Sequence, residues 1–322
     1  MSSLGKKNES NAALTCETCG TPLSPHVCDG LCPNCFFDSM VSPESQEHRG
    51  IRYGDYEVEE LIAEGGMGRV YRARHVTLNR TVALKLLRAN PSKKTEHTER
   101  FKRETEAVAR LEHPNIVPIY EVGEEDGDCF YTMRLIDGPT MNQHQWPRES
   151  RADFIAIAEI LAKTAKAVHF AHQHGILHRD VKPGNVLLDS QNEPFLTDFG
   201  IARFFEENSQ MTATEALLGT PHYMAPEQIS SDSADLTSAA DIYGLGAILY
   251  ELITGAPPFH GESTLVLLRK VGEDEPPRPS SKNRHIPIDL ETIALRCLRK
   301  EPTNRYSSTS IPQGAEARHE TP

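Results

Sequence analysis

The feature that most constrains the fold is a single change of periodicity, from strand-like to helix-like, between residues 56 and 306. Segments 56–64, 68–76 and 81–87 alternate or carry β-branched residues, which is typical of strands. A helix is predicted over Thr98–Leu111, and two further strands over Ile116–Val122 and Phe130–Ile136. Helical periodicity then dominates, at Phe154–His174, Ala239–Thr254, Leu265–Val271 and Leu290–Leu298. A strand-rich part followed by a helix-rich part predicts an α+β fold of two lobes with a cleft between them.

Composition narrows the function classes. Of 322 residues, 38% are hydrophobic and 25% are charged, an ordinary balance for globular domains. The formal net charge of −12 argues against nucleic acid as the main partner, because phosphate backbones are bound by basic faces. The longest apolar stretch, Ile242–Phe259, is too short and too interrupted to span a membrane, and it predicts a buried helix. No apolar run follows the first two lysines, so we expect no secretory signal and a cytoplasmic location.

Five of the seven cysteines lie between residues 16 and 37. Cys16 and Cys19 form one Cys-x-x-Cys pair, Cys32 and Cys35 form another, and twelve residues separate the pairs. Two such pairs can close a tetrahedral zinc site, and thiols are expected to stay reduced in a chain without an export signal. The sequence therefore predicts a short zinc ribbon with one structural Zn²⁺, although the spacing is shorter than that of common ribbons.

Other roles for these residues stay open. Cys28 could replace Cys32 or Cys35 as the fourth ligand, whereas His26 is interpreted as a solvated loop residue. The alternative to a zinc site is a disordered tail with incidental thiols. Cys129 and Cys297 stand alone in the sequence and are interpreted as core residues.

A series of short motifs carries the chemistry. The segment GGMG at 65–68 lies between two predicted strands, where glycines would let the backbone approach a phosphate; alone, such a segment is usually only a turn. Lys85 ends an apolar strand, and alone it would be interpreted as a solvated lysine. A more specific signal is the ordered series HRDVKPGN at 178–185, DFG at 198–200, GT at 219–220 and APE at 225–227.

In this order the motifs resemble those of the protein kinase superfamily. The segments GGMGRVY, HRDVKPGNVLL and GTPHYMAPEQ are similar in particular to the bacterial, eukaryotic-like Ser/Thr kinases, and the resemblance covers about 250 residues from Tyr56 to Tyr306. It implies the kinase fold, with a small strand-rich lobe before a larger helical lobe. It also implies an enzyme that transfers the γ-phosphate of ATP to Ser or Thr hydroxyls of protein substrates, with Mg²⁺ or Mn²⁺ as the cation.

For the nucleotide, the resemblance assigns roles residue by residue. Gly65 and Gly68 match two of three loop glycines over the phosphates, and Ala63 stands where the first glycine is expected, which should weaken ATP affinity. Lys85 matches the lysine that holds the α- and β-phosphates, and Glu104 matches the glutamate that pairs with it, with Glu106 as the nearest competitor. The residues that match the adenine-binding set, all expected to be buried, are Ile62, Val70, Ala83 and Leu187, with Met133 at the back of the pocket.

For phosphoryl transfer, Asp180 matches the aspartate that accepts the proton of the substrate hydroxyl. Asn185 and Asp198 match the two magnesium ligands, and hard oxygen donors of this kind suit Mg²⁺. Lys182 matches the lysine that approaches the transferred phosphate and marks Ser/Thr rather than Tyr specificity. Thr220 matches the threonine that bonds Asp180 and Lys182 beside the substrate pocket.

Regulation and structural support are also implied. Arg179 directly precedes Asp180, a pair often switched by phosphate on the activation segment, here residues 198–227. Within that segment Thr212 and Thr214 are the phosphosite candidates, ahead of Ser209, and the alternative is a merely polar loop. Three further residues match the family in structural roles. Glu227 and Arg305 match a buried ion pair, and Asp241 matches an aspartate that supports the backbone of the catalytic loop.

The predicted organisation is a disordered N-terminus at 1–15, the zinc ribbon at 16–37, a linker at 38–52, the kinase domain at 53–308 and a disordered tail at 309–322. After Arg305 the family continues with a long amphipathic helix, whereas Pro312 and Gly314 break any helix here, so we expect a truncated C-terminal end. The alternatives to an active kinase are a catalytically impaired pseudokinase or scaffold and, against the GTPHYMAPE segment, a small-molecule phosphotransferase.

Overall fold

A computed structural model describes residues 14–15, 22–23, 50–65, 68–87, 94–125, 127–200, 221–230 and 236–308. The first two of these ranges are the short strands β1 (Leu14–Thr15) and β2 (Pro22–Leu23), which pair antiparallel. Strand β1 lies at the end of the segment 1–15 that was predicted to be disordered, and the rest of that segment lies outside the described residues. The cysteines of the predicted zinc ribbon lie outside the described residues.

The strand-rich half forms a six-stranded antiparallel sheet in the order β3-β4-β5-β6-β8-β7. Its strands are β3 (Arg52–Tyr53), β4 (Tyr56–Gly65), β5 (Gly68–His75), β6 (Arg80–Leu87), β7 (Ile119–Glu125) and β8 (Asp128–Met133). Buried and more exposed residues alternate along parts of β4 and β5, so one face of the sheet packs against a core of its own. This core includes Tyr53, Tyr56, Tyr71, Leu84 and Phe130. The sheet is the small lobe that the periodicity predicted.

Helix α1 (Lys94–Ala109) contacts β7, and it begins four residues earlier than the predicted helix. Phe101, Thr105 and Val108 recur at helical spacing and are all buried, so one stripe of the helix faces the lobe interior. Lys102 on the exposed side forms an ion pair with Glu124 of β7 at 3.2 Å. The helix is thus held against the sheet by an apolar stripe rather than by its surface charges.

The helix-rich half contains α2 (Arg151–Gln173), α3 (Pro226–Ser230), α4 (Ser238–Thr254), α5 (Thr264–Glu273) and α6 (Ile288–Cys297), with the hairpin β9 (Val186–Leu188) and β10 (Pro194–Leu196). Ser150 and Asp153 form a reciprocal capping box that starts α2. Most of α4 is buried, which confirms the buried helix predicted from the apolar stretch. A Cβ at Gly246 would lie 2.3 Å from Cβ of Cys297, so glycine lets α4 and α6 approach closely.

Two predictions about single residues can be checked directly. Cys129 and Cys297 are both buried free thiols, as predicted, and burial raises the pKa of Cys297 to about 12.

In the part of the chain that is described, the helices fall short of the length and apolarity that crossing a bilayer requires.

Candidate active site

The glycine-rich hairpin joins β4 to β5, and Gly65 and Gly68 are its last paired residues. Gly68 has a φ of +145°, and a Cβ there would lie 2.1 Å from the carbonyl oxygen of Leu86, so backbone packing requires this glycine. Gly65 differs, because its Cβ would meet nothing within 4 Å. Packing therefore explains Gly68 but not Gly65. Ala63, opposite Val70 in the hairpin, is exposed.

The side chains predicted to hold adenine lie on both sides of the interlobe cleft. Ala83 is buried, Val70 and Leu187 are half-buried, and Ile62 is 46% exposed. The expectation that all four are buried is therefore wrong for Ile62, which lies in the exposed part of β4 beside the hairpin. A side chain at the edge of a cleft does not need burial to keep its place, since the pairing of the neighbouring residues Leu61 and Ala63 with β5 positions Ile62.

Met133 ends β8 opposite Ala83 and is buried, as expected for the residue at the back of the pocket. Its sulfur accepts a 3.6 Å hydrogen bond from Thr197 Oγ1, a residue directly before Asp198. The chain then leaves β8 through Arg134, whose N–H donates to the carbonyl of Pro118 at 3.0 Å. The connection between the two lobes therefore begins beside the segment that carries Asp198.

Lys85 is the buried cation of the site, with only 5% of its surface exposed. Its Nζ lies 2.5 Å from Oδ1 of Asp198. The described ion pairs include none between Lys85 and Glu104, the partner that the resemblance assigned. Instead Glu104 lines a cavity of about 400 Å³ together with Arg179 and Phe199. A buried ammonium needs a counter-charge, and Asp198 supplies it here.

Asp198 is held as an anion by its neighbours. Burial alone would raise its pKa, but the charge and hydrogen bond of Lys85 and a hydrogen bond from Tyr131 hold the pKa below its ordinary value. Tyr131 donates its hydroxyl to the same Oδ1 at 3.0 Å. Sequence reasoning missed Tyr131, and the signal that could have indicated it is a phenol two residues before Met133 in a strand that is buried from Cys129 onward.

The carboxylate of Asp180 is enclosed by two neighbours from its own loop. Lys182 Nζ lies 2.7 Å from Oδ2, and Asn185 Nδ2 donates to the same oxygen at 3.0 Å. The same amide nitrogen also donates to the main-chain carbonyl of Asp180 at 2.8 Å. Pro183 starts the short 3₁₀ turn Pro183–Asn185, which brings the asparagine back toward the aspartate. The structure thus brings three of the four predicted catalytic residues together, and Thr220 lies outside the described residues.

His178 links this loop to the segment that carries Asp198. Its Nδ1 faces the N–H of Asp180 at 3.3 Å and its Nε2 faces the carbonyl of Thr197 at 2.9 Å, so the neutral tautomer protonated on Nε2 satisfies both bonds. The ring is fully buried, and burial lowers its pKa. Its own carbonyl accepts from Gly200 N at 2.9 Å. The catalytic loop and the DFG segment are therefore joined at two points through one residue.

Asp241, near the start of α4, braces the catalytic loop from below and is 2% exposed. Its Oδ1 accepts from Arg179 N at 2.7 Å, and its Oδ2 accepts from His178 N at 2.8 Å and contacts His172 Nε2 at 2.7 Å. Arg179 has a φ of 63°, a conformation that non-glycine residues adopt rarely. The predicted brace is confirmed, and it stabilises a strained backbone immediately before Asp180.

The end of the activation segment is tied to the helical lobe. Glu227 in α3 pairs with the fully buried guanidinium of Arg305, as predicted. Gln228 donates to the carbonyl of Arg179 at 2.8 Å, and Tyr223 donates to Glu251 at 2.5 Å. The candidate phosphosites Ser209, Thr212 and Thr214 lie outside the described residues.

The sequences of known proteins agree with the resemblance to protein kinases. The sequence matches the protein kinase domain family over residues 56–315. It is 38% identical to the Serine/threonine-protein kinase PknB of Mycobacterium leprae and 37% identical to the Serine/threonine-protein kinase PrkC of Bacillus subtilis, in each case over 79% of this chain. These matches cover 41% and 39% of the relatives, so the chain spans about two-fifths of their length.

Solved structures are also similar to this chain. The crystal structure of the Mycobacterium tuberculosis PknI kinase domain superposes with a TM-score of 0.62 at 32% identity, covering 81% of this chain and 94% of that one. A structure described as the apo form of PpkA-294 gives a TM-score of 0.66 at 26% identity, covering 81% and 95%. With 260 residues matched by the family and more than a third of residues shared with bacterial Ser/Thr kinases, the chain belongs to the protein kinase family.

Proposed function

We propose that this chain is an active Ser/Thr protein kinase, which transfers the γ-phosphoryl group of ATP to a Ser or Thr hydroxyl of a protein. The observation that carries the proposal is the enclosure of Asp180 by Lys182 at 2.7 Å and by Asn185 at 3.0 Å. A carboxylate held by a cation and an amide in this way is suited to orient a hydroxyl and to take its proton. An impaired kinase that serves as a scaffold would not need this arrangement.

The residues present fit a magnesium-bound nucleotide. Asn185 uses its amide nitrogen on Asp180, which leaves its amide oxygen for a metal, and Asp198 adds a carboxylate. Both are hard oxygen donors of the kind that Mg²⁺ prefers. Glycine at position 65, which packing does not require, fits close approach of a phosphate to the hairpin. When bound, the magnesium nucleotide supplies the phosphoryl group and most of the positive charge that offsets it.

The chain's own residues would then act by position and charge. Asp180 orients the substrate hydroxyl and receives its proton, while Lys182 beside it offsets negative charge on the transferred group. Lys85, a buried ammonium, turns from Asp198 to the α- and β-phosphates. His178 and Asp241 hold the loop geometry without touching the reactants. Catalysis of this kind forms no covalent intermediate with the protein.

A protein substrate suits the surface beside this site. The 3₁₀ turn Pro221–Tyr223 and helix α3 follow directly on Thr220, and the pairs Tyr223–Glu251 and Glu227–Arg305 fix them to the helical lobe. If Thr220 bonds Asp180 and Lys182, as the family resemblance implies, this position would favour a hydroxyl-bearing segment of extended chain. A small-molecule phosphotransferase has no use for a rigid platform at this position.

Regulation by self-phosphorylation is part of the proposal. Arg179 adjoins Asp180 and accepts a hydrogen bond at its carbonyl from Gln228, so helix α3, which begins at the end of the activation segment, is bonded to the catalytic loop. A phosphate on Thr212 or Thr214 carries about −1.5 to −2 charges and can form several charge-assisted bonds to arginine. Such bonds would order the activation segment around Thr220.

We further propose a structural zinc ion bound by Cys16, Cys19, Cys32 and Cys35. The pairing of Leu14–Thr15 with Pro22–Leu23 supports the proposal, because Cys16 and Cys19 both belong to the six residues that connect these two paired strands. A Cys-x-x-Cys pair in so short a connection would supply two of the four thiolates that a tetrahedral zinc site requires. The chemistry proposed for this ion is stabilisation of the fold at the N-terminus, not catalysis.

The test of kinase activity is a radiolabelled-ATP assay on the purified chain with Mg²⁺, with and without a general protein substrate. The matched control is Asp180→Asn, which preserves the shape of the side chain and removes the base. We expect label on serine and threonine of the chain and of the substrate, and none above background with the control. Equal labelling by both proteins, or none by either, would contradict the proposed activity.

A further inference from the structure

Tyr131 is a buried phenol whose position the described backbone pairing fixes. It lies directly opposite Lys85 in the pairing of β6 with β8. Residues directly opposite in an antiparallel pair point to the same face of the sheet, so both side chains reach the same region of the cleft. There they meet on one atom, since Oδ1 of Asp198 accepts from Lys85 Nζ at 2.5 Å and from the Tyr131 hydroxyl at 3.0 Å.

The hydroxyl is the part of Tyr131 that packing does not explain. Its ring belongs to the main apolar core and lies 6.4 Å from the ring of Phe101 in α1, and only 2% of the residue is exposed. Phenylalanine would fill the same space without a buried polar atom to satisfy. Burial, with the Asp198 carboxylate next to it, raises the pKa of Tyr131 well above its ordinary value.

Both bonds fall on Oδ1, which has a consequence for Oδ2. No described residue donates a hydrogen bond to Oδ2 of Asp198. A carboxylate fixed through one oxygen presents its second oxygen in a defined direction. In the proposed reaction Lys85 must turn to the phosphates, and Tyr131 is then the described donor that still holds Oδ1.

We propose that Tyr131 is a positioning residue, which keeps the Asp198 carboxylate oriented toward the divalent cation of the bound nucleotide while Lys85 is engaged by phosphate. The inference rests on the proposed kinase function, since that function makes Asp198 a metal ligand. Tyr131 itself touches neither cation nor nucleotide. Its contribution is to remove the rotational freedom of a carboxylate that would otherwise be fixed only by the ligand it binds.

The experiment compares wild type with Tyr131→Phe, which removes one oxygen atom and preserves the packing. Mn²⁺ is used as a probe, and its free concentration is followed by electron paramagnetic resonance in the presence of a non-hydrolysable ATP analogue. We expect Tyr131→Phe to bind Mn²⁺ about tenfold more weakly, the change expected for loss of one hydrogen bond to a charged group. The Mg²⁺ concentration for half-maximal kinase activity should rise by a similar factor, while kcat at saturating Mg²⁺ should change by less than about threefold.

The matched control is Tyr250→Phe. Tyr250 is also a buried tyrosine, and its hydroxyl has no hydrogen-bond partner among the described residues, so Mn²⁺ binding should be unchanged. Thermal unfolding of both variants separates loss of fold from loss of orientation. Unchanged Mn²⁺ affinity in folded Tyr131→Phe would overturn the proposal, and so would tighter binding, which would make Tyr131 a brake on cation binding. Wild type that binds Mn²⁺ with the analogue but transfers no phosphate would contradict the kinase function instead, and the binding comparison would still decide the role of Tyr131.

Discussion

Arg305 donates two hydrogen bonds to Glu227, which is 78 residues away in the sequence. Nη1 donates to Oε1 at 2.5 Å and Nη2 donates to Oε2 at 2.8 Å. The arginine side chain is fully buried and the glutamate is 15% exposed. The remaining guanidinium bonds go to main-chain carbonyls of the helical lobe. The pair therefore joins the end of the activation segment to the core of that lobe.

Replacing Glu227 by Ala should lower the free energy of unfolding by about 3 kcal/mol, because it leaves a buried guanidinium without its counter-charge. The control is Glu193→Ala, which removes a surface partner of Lys163 and should cost less than about 1 kcal/mol. Urea unfolding of the three proteins measures both losses. Equal losses in the two variants would show that burial of the Arg305 pair has no special weight.

Asp198→Asn should reduce phosphoryl transfer by at least about a hundredfold, because the amide is a poor magnesium ligand and leaves Lys85 unpaired. The amide is close in shape to the carboxylate, so the far-ultraviolet circular dichroism spectrum should be unchanged. Initial rates with radiolabelled ATP give the comparison. Activity within tenfold of wild type would rule out Asp198 as a metal ligand.

The proposed zinc site predicts about one equivalent of zinc per purified chain, measured by plasma emission spectrometry. Cys16→Ser should release it, since a serine hydroxyl does not replace a thiolate on zinc. Cys297→Ala provides the control, because that thiol is buried in the core and its pKa is raised to about 12. A Cys16→Ser protein with full zinc content would mean that the ligand set is different.

If self-phosphorylation orders the activation segment, the progress curve of wild type should begin with a lag that prior incubation with ATP and Mg²⁺ removes. The double variant Thr212→Ala, Thr214→Ala should stay slow after such incubation, because no phosphate can form at the segment. Thr292→Ala, an exposed threonine in α6, should behave like wild type. Mass spectrometry locates the phosphates. A double variant with wild-type rate and lag would exclude this switch.

The stability of the protein should fall as the pH drops below about 6.5, in part because of His178. Burial lowers the pKa of His178 in the folded chain from its ordinary value of 6.5, so the unfolded chain binds the extra proton first. Below 6.5 the unfolded state is therefore favoured progressively, until the folded-state pKa is passed.

His178→Gln tests this contribution, since glutamine can still donate to Thr197 and does not titrate. The difference in the free energy of unfolding between pH 7.5 and pH 5.5 should be smaller in His178→Gln than in wild type. Other histidines whose pKa is lowered by burial, such as the half-buried His113 and His222, are present in both proteins and cancel in the comparison. An equal difference in the two proteins would show that His178 does not control the acid limb.

The arrangement of elements could be predicted because periodicity and turn chemistry are local properties. The predicted helix at Ala239–Thr254 differs from α4 by a single residue, and predicted and observed strands around the glycine hairpin agree to within one residue. Boundaries were less well predicted where a strand meets the lobe connection. Phe130–Ile136 was predicted as a strand, whereas β8 ends at Met133. The next residue in register, Pro118, accepts from Arg134 N but has no N–H to donate in return, so the ladder stops there.

Side-chain partners were harder to predict, because they depend on distances that sequence spacing does not contain. Lys85 was expected to pair with Glu104, yet it pairs with Asp198, which is 113 residues away. The sequence assigned no role to Tyr131 within the predicted strand Phe130–Ile136, and only the three-dimensional path of the DFG segment shows what its hydroxyl bonds. A motif identifies which residues meet in a site, but competition between two carboxylates for one ammonium is decided by geometry.

Because Asp241 holds the catalytic loop, that loop should unfold at a higher temperature than the one at which the Lys85–Asp198 ion pair breaks. Because the Asp241 carboxylate belongs to the most buried helix and bonds the main chain at His178 and Arg179, the catalytic loop cannot lose its shape until α4 itself unfolds. Lys85, by contrast, reaches Asp198 through one ion pair between the sheet and the helical lobe, which a small parting of the lobes breaks. On warming, the position of Lys85, which is proposed to bind the phosphates, should therefore be lost well before the conformation of the catalytic loop around Asp180. Inactivation should at first be reversible and should precede the main unfolding transition.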